Sequence, residues 1–162
     1  MREILFRGFH PCDGPETIVV DGEKGTGRWV EGSLIHRTSY YGEPCDDYFI
    51  VTDGEFDSDY YDAEKVLPST VGQYSGLDDS DGRKVFEGDI LKFRDEPNDY
   101  EWTGRIEFGN PNYGYTWGFQ IVHLSGPEPS IDTLCWFDME EGGAYSEVVG
   151  TVFDEEAGHA KD

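Results

Sequence analysis

Short apolar runs broken by Gly, Pro, Asn and Asp set the pattern of this chain. Thr17-Ile18-Val19-Val20 is the first plain β-type run. Arg28 to Ile35 follows the Gly25-Thr26-Gly27 breaker, and Tyr48 to Thr52 ends at Asp53-Gly54, a strong turn pair. Later runs are Val85-Phe86, Ile90 to Phe93, Trp102 to Phe108, Trp117 to Leu124, Ile131 to Phe137 and Val148 to Phe153. Within them Arg105-Ile106-Glu107-Phe108 alternates polar and apolar positions, the period of a half-buried strand. No stretch of about 12 residues keeps the i, i+3, i+4, i+7 spacing of an amphipathic helix. The best helical candidate is Tyr61 to Leu67, barely two turns and stopped by Pro68. The pattern predicts a mainly β fold: one domain over 1–153, a partly open barrel or sandwich of short strands with one or two short helices. A frayed acidic tail is expected over 154–162.

Composition narrows the function classes. The 162 residues carry 12 Lys and Arg against 35 Asp and Glu, a formal net charge of −23. Binding nucleic acid through its phosphates needs clustered cations, and docking on anionic lipid needs them too, so both are excluded as expectations. Aromatic residues make up 15% of the chain, too many for a disordered acidic sequence. The first residues, Met1 to Arg7, place charge on both sides of a three-residue apolar stretch, which does not suit a secretory signal. Cys12, Cys45 and Cys135 are odd in number and far apart, unlike a disulfide framework. A cytoplasmic setting is expected.

The most distinctive segment runs Val71-Gly72-Gln73-Tyr74-Ser75-Gly76-Leu77, through Asp78-Asp79-Ser80-Asp81-Gly82-Arg83-Lys84, to Val85-Phe86-Glu87-Gly88-Asp89-Ile90-Leu91. It resembles the central motif of the YopX family of bacteriophage and prophage proteins. Arg2 to Arg7 is similar to the family's opening, Trp29 to Leu34 to its W-x-x-G-x-L, Gly104 to Phe108 and Gly118-Phe119 to later strands, and Glu147 to Asp154 to its closing motif. Ser75 stands where the family usually has Thr, and Thr151 where it usually has Asn. The acidic span 43–64 looks like an insertion without a family counterpart. The resemblance implies a β-rich fold and a phage or prophage origin, and no reaction.

Residue chemistry gives the central motif a structural reading. Asp and Ser bond their own backbone in turns, and Gly82 can take a left-handed conformation. Gly72, Gln73, Tyr74, Gly76, Leu77, Asp78, Gly82, Glu87, Gly88, Asp89 and Ile90 are therefore the candidate residues, with a scaffold role expected. A Ca²⁺ EF-hand loop fails, because Gly82 at position 6 puts Leu77 at position 1 and Gly88 at position 12, neither a ligand. A looser cation site on Asp78, Asp79 and Asp81 stays open. Zinc spacing is absent around the three Cys and around His10, His36, His123 and His159, although His10 and Cys12 fall two apart. No nucleophile elbow or phosphate-cradling glycine loop occurs. No catalytic, cofactor or metal residues are assigned. The aromatic stretch Tyr100 to Trp117 reads as strand packing or a protein surface, since Ile106 to Ala160 holds no Lys or Arg to form a nucleic-acid groove.

Charge is distributed unevenly. Glu43 to Glu64 has nine acids, Ile106 to Ala160 has ten, and neither has a Lys or Arg. Such single-sign fields steer basic partners. The leading expectation is a non-enzymatic phage or prophage accessory protein that binds a host or phage protein, a basic partner among the candidates. Two alternatives stand: an acidic mimic of DNA that inhibits a host DNA-binding protein, and a small carboxylate- or cation-dependent enzyme built on Asp78, Asp79, Asp81, Glu87 and Asp89. Assembly into a homo-oligomer through β edges is a further option.

Overall fold

The computed structural model describes residues 3–52, 63–96, 99–109, 117–125, 131–133 and 144–155. It is mainly β, in two sheets, neither closed into a barrel. The chain forms two compact units, Met1–Gln73 and Tyr74–Asp162, where the apolar pattern suggested one. Their boundary falls inside a strand, so no linker marks it in the sequence.

The first unit is a run of antiparallel neighbours. β1 (Phe6–Val20), β2 (Glu23–Tyr40), β3 (Glu43–Val51) and β4 (Ala63–Val66) pair in chain order. Two-residue turns join the first three, and both have positive φ at each central residue: Asp21 (52°) with Gly22 (81°), and Tyr41 (48°) with Gly42 (85°). That is the type I′ requirement, which fits the right-handed twist of the strands. In β1 the four residues between Pro11 and Glu16 bulge out, because both flanking residues face Gly27. The strand signal there was weak for that reason, and only Thr17 to Val20 was readable.

This sheet curls back on itself. The Leu67 N–H donates to the Phe9 carbonyl (2.9 Å), and Thr70 Oγ1 accepts the Phe9 N–H (2.9 Å). A side chain at Gly8 would meet Val66, 2.8 Å away, so a bare backbone lets β4 lie close. Val30, Ile50 and Val66 form the core inside the curl, with Phe6, Leu34, Tyr48 and Val71 against them. The helix expected over Tyr61 to Leu67 is not there: Ala63–Val66 is β4, and residues 61 and 62 lie outside the described part. Pairing with β3 and burial of Val66 outweigh a two-turn helical pattern that has no tertiary support. The helical content is one 3-10 turn at Pro68–Thr70 among the described residues. The acidic span 43–64 supplies β3 and β4 where it is described; residues 53–62 lie outside, including the Asp53-Gly54 turn.

β5 (Gly72–Asp78) starts in the first unit, with Gly72 opposite Arg7 and Gln73 opposite Phe6. It continues in the second, where Tyr74 faces Phe86 and Asp78 faces Lys84 of β6 (Lys84–Phe86). The remaining strands are β7 (Asp89–Asp95), β8 (Tyr100–Gly109), β9 (Gly118–His123), β10 (Ile131–Thr133) and β11 (Ala144–Thr151), in the antiparallel order β10-β9-β8-β7-β11. Val85, Leu91, Phe93, Trp102, Ile106, Ile121 and Val148 make their core. Phe93 stacks on Trp102 at 4.1 Å between ring centroids. Burial of each such side chain contributes about 1.5–3 kcal/mol. Residues 134–137 of the run expected from Ile131 to Phe137 lie outside the described part.

Candidate functional site

The turn after β5 is organised by one carboxylate. Asp79 is 5% exposed and accepts three backbone N–H groups: Oδ1 from Asp81 (3.0 Å) and Arg83 (2.8 Å), Oδ2 from Val148 (2.9 Å). Its own backbone closes the turn, with its N–H on the Arg83 carbonyl and its carbonyl accepting Gly82 N–H. Beside it the Ser80 N–H donates to the Ser146 carbonyl (3.0 Å), and Ser80 Oγ accepts the Ser146 N–H (2.9 Å). Tyr145 donates its hydroxyl to Asp81 Oδ2 (2.9 Å). That carboxylate, and then burial, holds the Tyr145 phenol above its ordinary pKa.

The contacts on Ser146 and Val148 fall on the side of β11 away from β7. β11 is the last strand of its sheet, and its outward N–H groups would otherwise template pairing with another chain. Asp79 and Ser80 occupy them. The turn is a clasp on a sheet edge.

The other motif residues make contacts of their own. Tyr74 is buried and donates to Asp78 Oδ1 (2.8 Å), while Gly72 is buried and Gln73 half-buried in β5. Gly76 and Gly82 hold φ of 87° and 80°. Leu77 and Ile90 are half-buried. At Glu87-Gly88 the chain reverses, with Gly88 at φ 88°, its N–H on the Ile106 carbonyl and its carbonyl accepting Val152 N–H. Asp89 is fully buried, and its Oδ2 accepts the Phe86 N–H at 2.8 Å. Glu87 is half-buried. Of the five carboxylates considered for catalysis, Asp78, Asp79, Asp81 and Asp89 each hold a different partner, Tyr74, the turn and β11 amides, Tyr145 and the Phe86 amide. Among the described residues no group of three His, Cys, Asp or Glu is placed to hold a metal ion.

The closing motif uses the same chemistry. Asp154 Oδ2 accepts the Thr151 N–H (2.7 Å), and Thr151 Oγ1 accepts the Phe153 N–H (3.2 Å). Asp154 therefore belongs to this turn and not to a frayed tail; residues 156–162 lie outside the described part.

The family model described as YopX protein matches residues 24–156. The chain belongs to the YopX family. The match includes the central and closing motifs and runs through the acidic span, while the YopX-like opening at Arg2 to Arg7 lies before it. No curated protein and no solved structure matches this YopX chain.

A second polar constellation lies in the first unit of this YopX protein, and spacing alone did not reveal it. An open groove of about 450 Å³ is lined by His10, Asp46, Asp47, Tyr48, Lys65 and Pro68, among others. Strand pairing brings them together: Lys65 Nζ and Arg37 reach Asp47 at 2.7 and 2.9 Å, and His36 Nε2 reaches Asp46 at 2.6 Å. His10 lies 2.7 Å from the Lys65 carbonyl through Nδ1 and 3.2 Å from Glu64 through Nε2, and Arg28 pairs with Glu64 too. Lys65 first, and Arg37 after it, hold the Asp47 carboxyl below its ordinary range. His10 is thus turned to β4 and not to Cys12, which like Cys45 is a free thiol. Among the described residues no helix is long and apolar enough to cross a membrane.

Proposed function

We propose that this YopX protein is a non-enzymatic phage or prophage accessory protein that acts in the host cytoplasm by binding another protein. The observation that carries this reading is the use of the motif's carboxylates as internal acceptors. Asp79 holds three backbone amides, Asp89 a fourth, and Asp78 and Asp81 each a tyrosine hydroxyl. A carboxylate engaged in this way supports a scaffold and leaves little for acid–base or cation chemistry. Recognition then falls to the surface, where Tyr41 (90% exposed), Trp117 (75%) and Phe108 (46%) present aromatic area to solvent. Tyr and Trp are enriched where proteins bind proteins.

The pairing of the acids favours ordinary binding over imitation of DNA. Asp46, Asp47, Glu64, Glu101 and Glu107 all engage a cationic or histidine side chain, which reduces the uniform negative field that a mimic would present. The test is capture of host and phage proteins on the immobilised full-length chain, identified by mass spectrometry, with Asp81→Asn as a companion. One reproducible protein partner retained by both forms is expected. A metal-dependent turnover of nucleotide, ester or glycoside substrates abolished in Asp81→Asn would overturn the reading.

A further inference from the structure

The β2–β3 turn breaks the rule that its twin obeys. Both turns are two-residue type I′ connections, whose first central residue must adopt positive φ. The β1–β2 turn places Asp21 there, one of the few side chains that tolerate it. The β2–β3 turn places Tyr41 there, at φ 48°. A bulky residue in the left-handed region is disfavoured, and packing within the fold does not explain the choice, since the side chain is 90% exposed. Its ring contact is edge-to-face with Tyr40 (4.4 Å), itself 54% exposed.

The surroundings indicate what the pair could receive. One guanidinium is already held nearby by aromatic rings and a carboxylate: Arg37 lies 5.0 Å from the ring centroids of both Tyr40 and Phe49 and donates to Asp47. Cation–π attraction with a carboxylate alongside is the chemistry that selects arginine. Beyond Arg37 the tip has three acids, Glu43, Asp46 and Asp47; Arg37 and Lys65 pair with Asp47, which leaves Glu43 and the His36-bonded Asp46 as the carboxylates beside the rings. A phosphate backbone is repelled by this field, and a cationic peptide is attracted to it.

We propose that the Tyr40-Tyr41 tip is a docking site for an arginine-rich segment of a partner protein, with Tyr41 stacking on a guanidinium and Glu43 and Asp46 supplying the carboxylates. The inference rests on the protein-binding reading above and names the partner's chemistry. It separates the tip from the exposed Trp117 surface of the second unit as the recognition element.

The test is a titration of the full-length protein with an acetylated, amidated octapeptide alternating arginine and glycine, followed by amide chemical shifts and calorimetry in physiological salt. A lysine–glycine octapeptide of equal charge is the control. Tip amides are expected to shift, and the arginine peptide is expected to bind about fivefold more tightly than the lysine peptide. The double variant Tyr40→Ser, Tyr41→Asn is expected to remove that preference, and Tyr41→Phe to retain it. Asn suits the turn, so the double variant keeps the hairpin, which the amide spectrum verifies directly. Equal binding of the two peptides, or a double variant that binds the arginine peptide as the wild type does, would overturn the inference. If the peptide preference fails while the wild-type chain still captures a specific protein, the tip is refuted and the broader reading stands.

Discussion

The side chain of Asp79 and the backbone of Val148, 69 positions apart in sequence, meet in a 2.9 Å hydrogen bond that joins the central motif to the edge of the second sheet. Replacing Asp79 by Ala leaves three amide donors without their acceptor in a site that is 5% exposed. The expected cost is about 2–4 kcal/mol, read as a fall in the urea midpoint. Asp79→Asn, which keeps one acceptor oxygen, should lose less.

A second consequence concerns association. With the clasp removed, the outward N–H groups of β11 are open to another chain. Light scattering of Asp79→Ala at rising concentration should show oligomers under conditions where the wild type shows none through this edge. A variant that is destabilised but does not associate more than wild type would contradict the edge-protection role.

Gly88 offers a backbone test. At φ 88° an added Cβ is strained even though the nearest side-chain atom, Phe153 Cε2, would be 3.6 Å away. Gly88→Ala should therefore destabilise by about 1–2 kcal/mol through conformation and not through a clash. Thermal unfolding of Gly88→Ala beside Gly25→Ala, a position with open space and no positive φ, separates the two causes.

Tyr41→Asn should act in the opposite direction. Relief of positive φ at an exposed tyrosine is expected to stabilise the fold by about 0.5–1 kcal/mol. A stabilising substitution that weakens binding is the pattern of a residue kept for recognition.

Acid sensitivity follows from two ion-paired carboxyls. Asp47 is held below 3.8 by Lys65 and then Arg37, and Glu101 below 4.5 by Lys92 and then Arg94. Each folded pKa is below its unfolded value. The pairs therefore stabilise the protein above those values, and the contribution disappears as pH falls through the lower, folded ones. Stability measured from about pH 6 down to about pH 3 should decline less steeply in Asp47→Asn than in the wild type.

Much of the strand content was legible because it depends on local pattern. The runs at Ile90 to Phe93 and Trp102 to Phe108 became β7 and β8, although the alternation expected over Arg105 to Phe108 holds at Ile106 and fails at Phe108, which is 46% exposed. Within the motif, Tyr74 bonds Asp78, Gly88 bonds Ile106 and Val152, and Asp89 bonds the Phe86 amide. Asp79 stood out in the sequence only as a member of an acidic turn, weighed for cation or carboxylate chemistry together with Asp78 and Asp81. What singles it out is a strand 69 residues away, and no local signal carries that. β4 was missed for a related reason: four residues with one buried side chain, Val66, acquire strand identity from β3 beside them. The His10–Glu64–Arg28 and Arg37–Asp47–Lys65 groupings arise in the same way, from register across strands.

The clasp also imposes an order on the making of the protein. β1 to β4 pair with their immediate predecessors, so each hairpin can form as soon as it is synthesised. The second sheet cannot finish in that way. β7 (ending at Asp95) waits for β11 (beginning at Ala144) across the whole stretch that holds β8 to β10, and the Asp79 turn, made earlier still, waits with it. Until the final strand arrives, β7 offers an open edge and Asp79 lacks one of its three amides. A nascent chain halted before residue 144 is thus the form of this protein most exposed to aggregation.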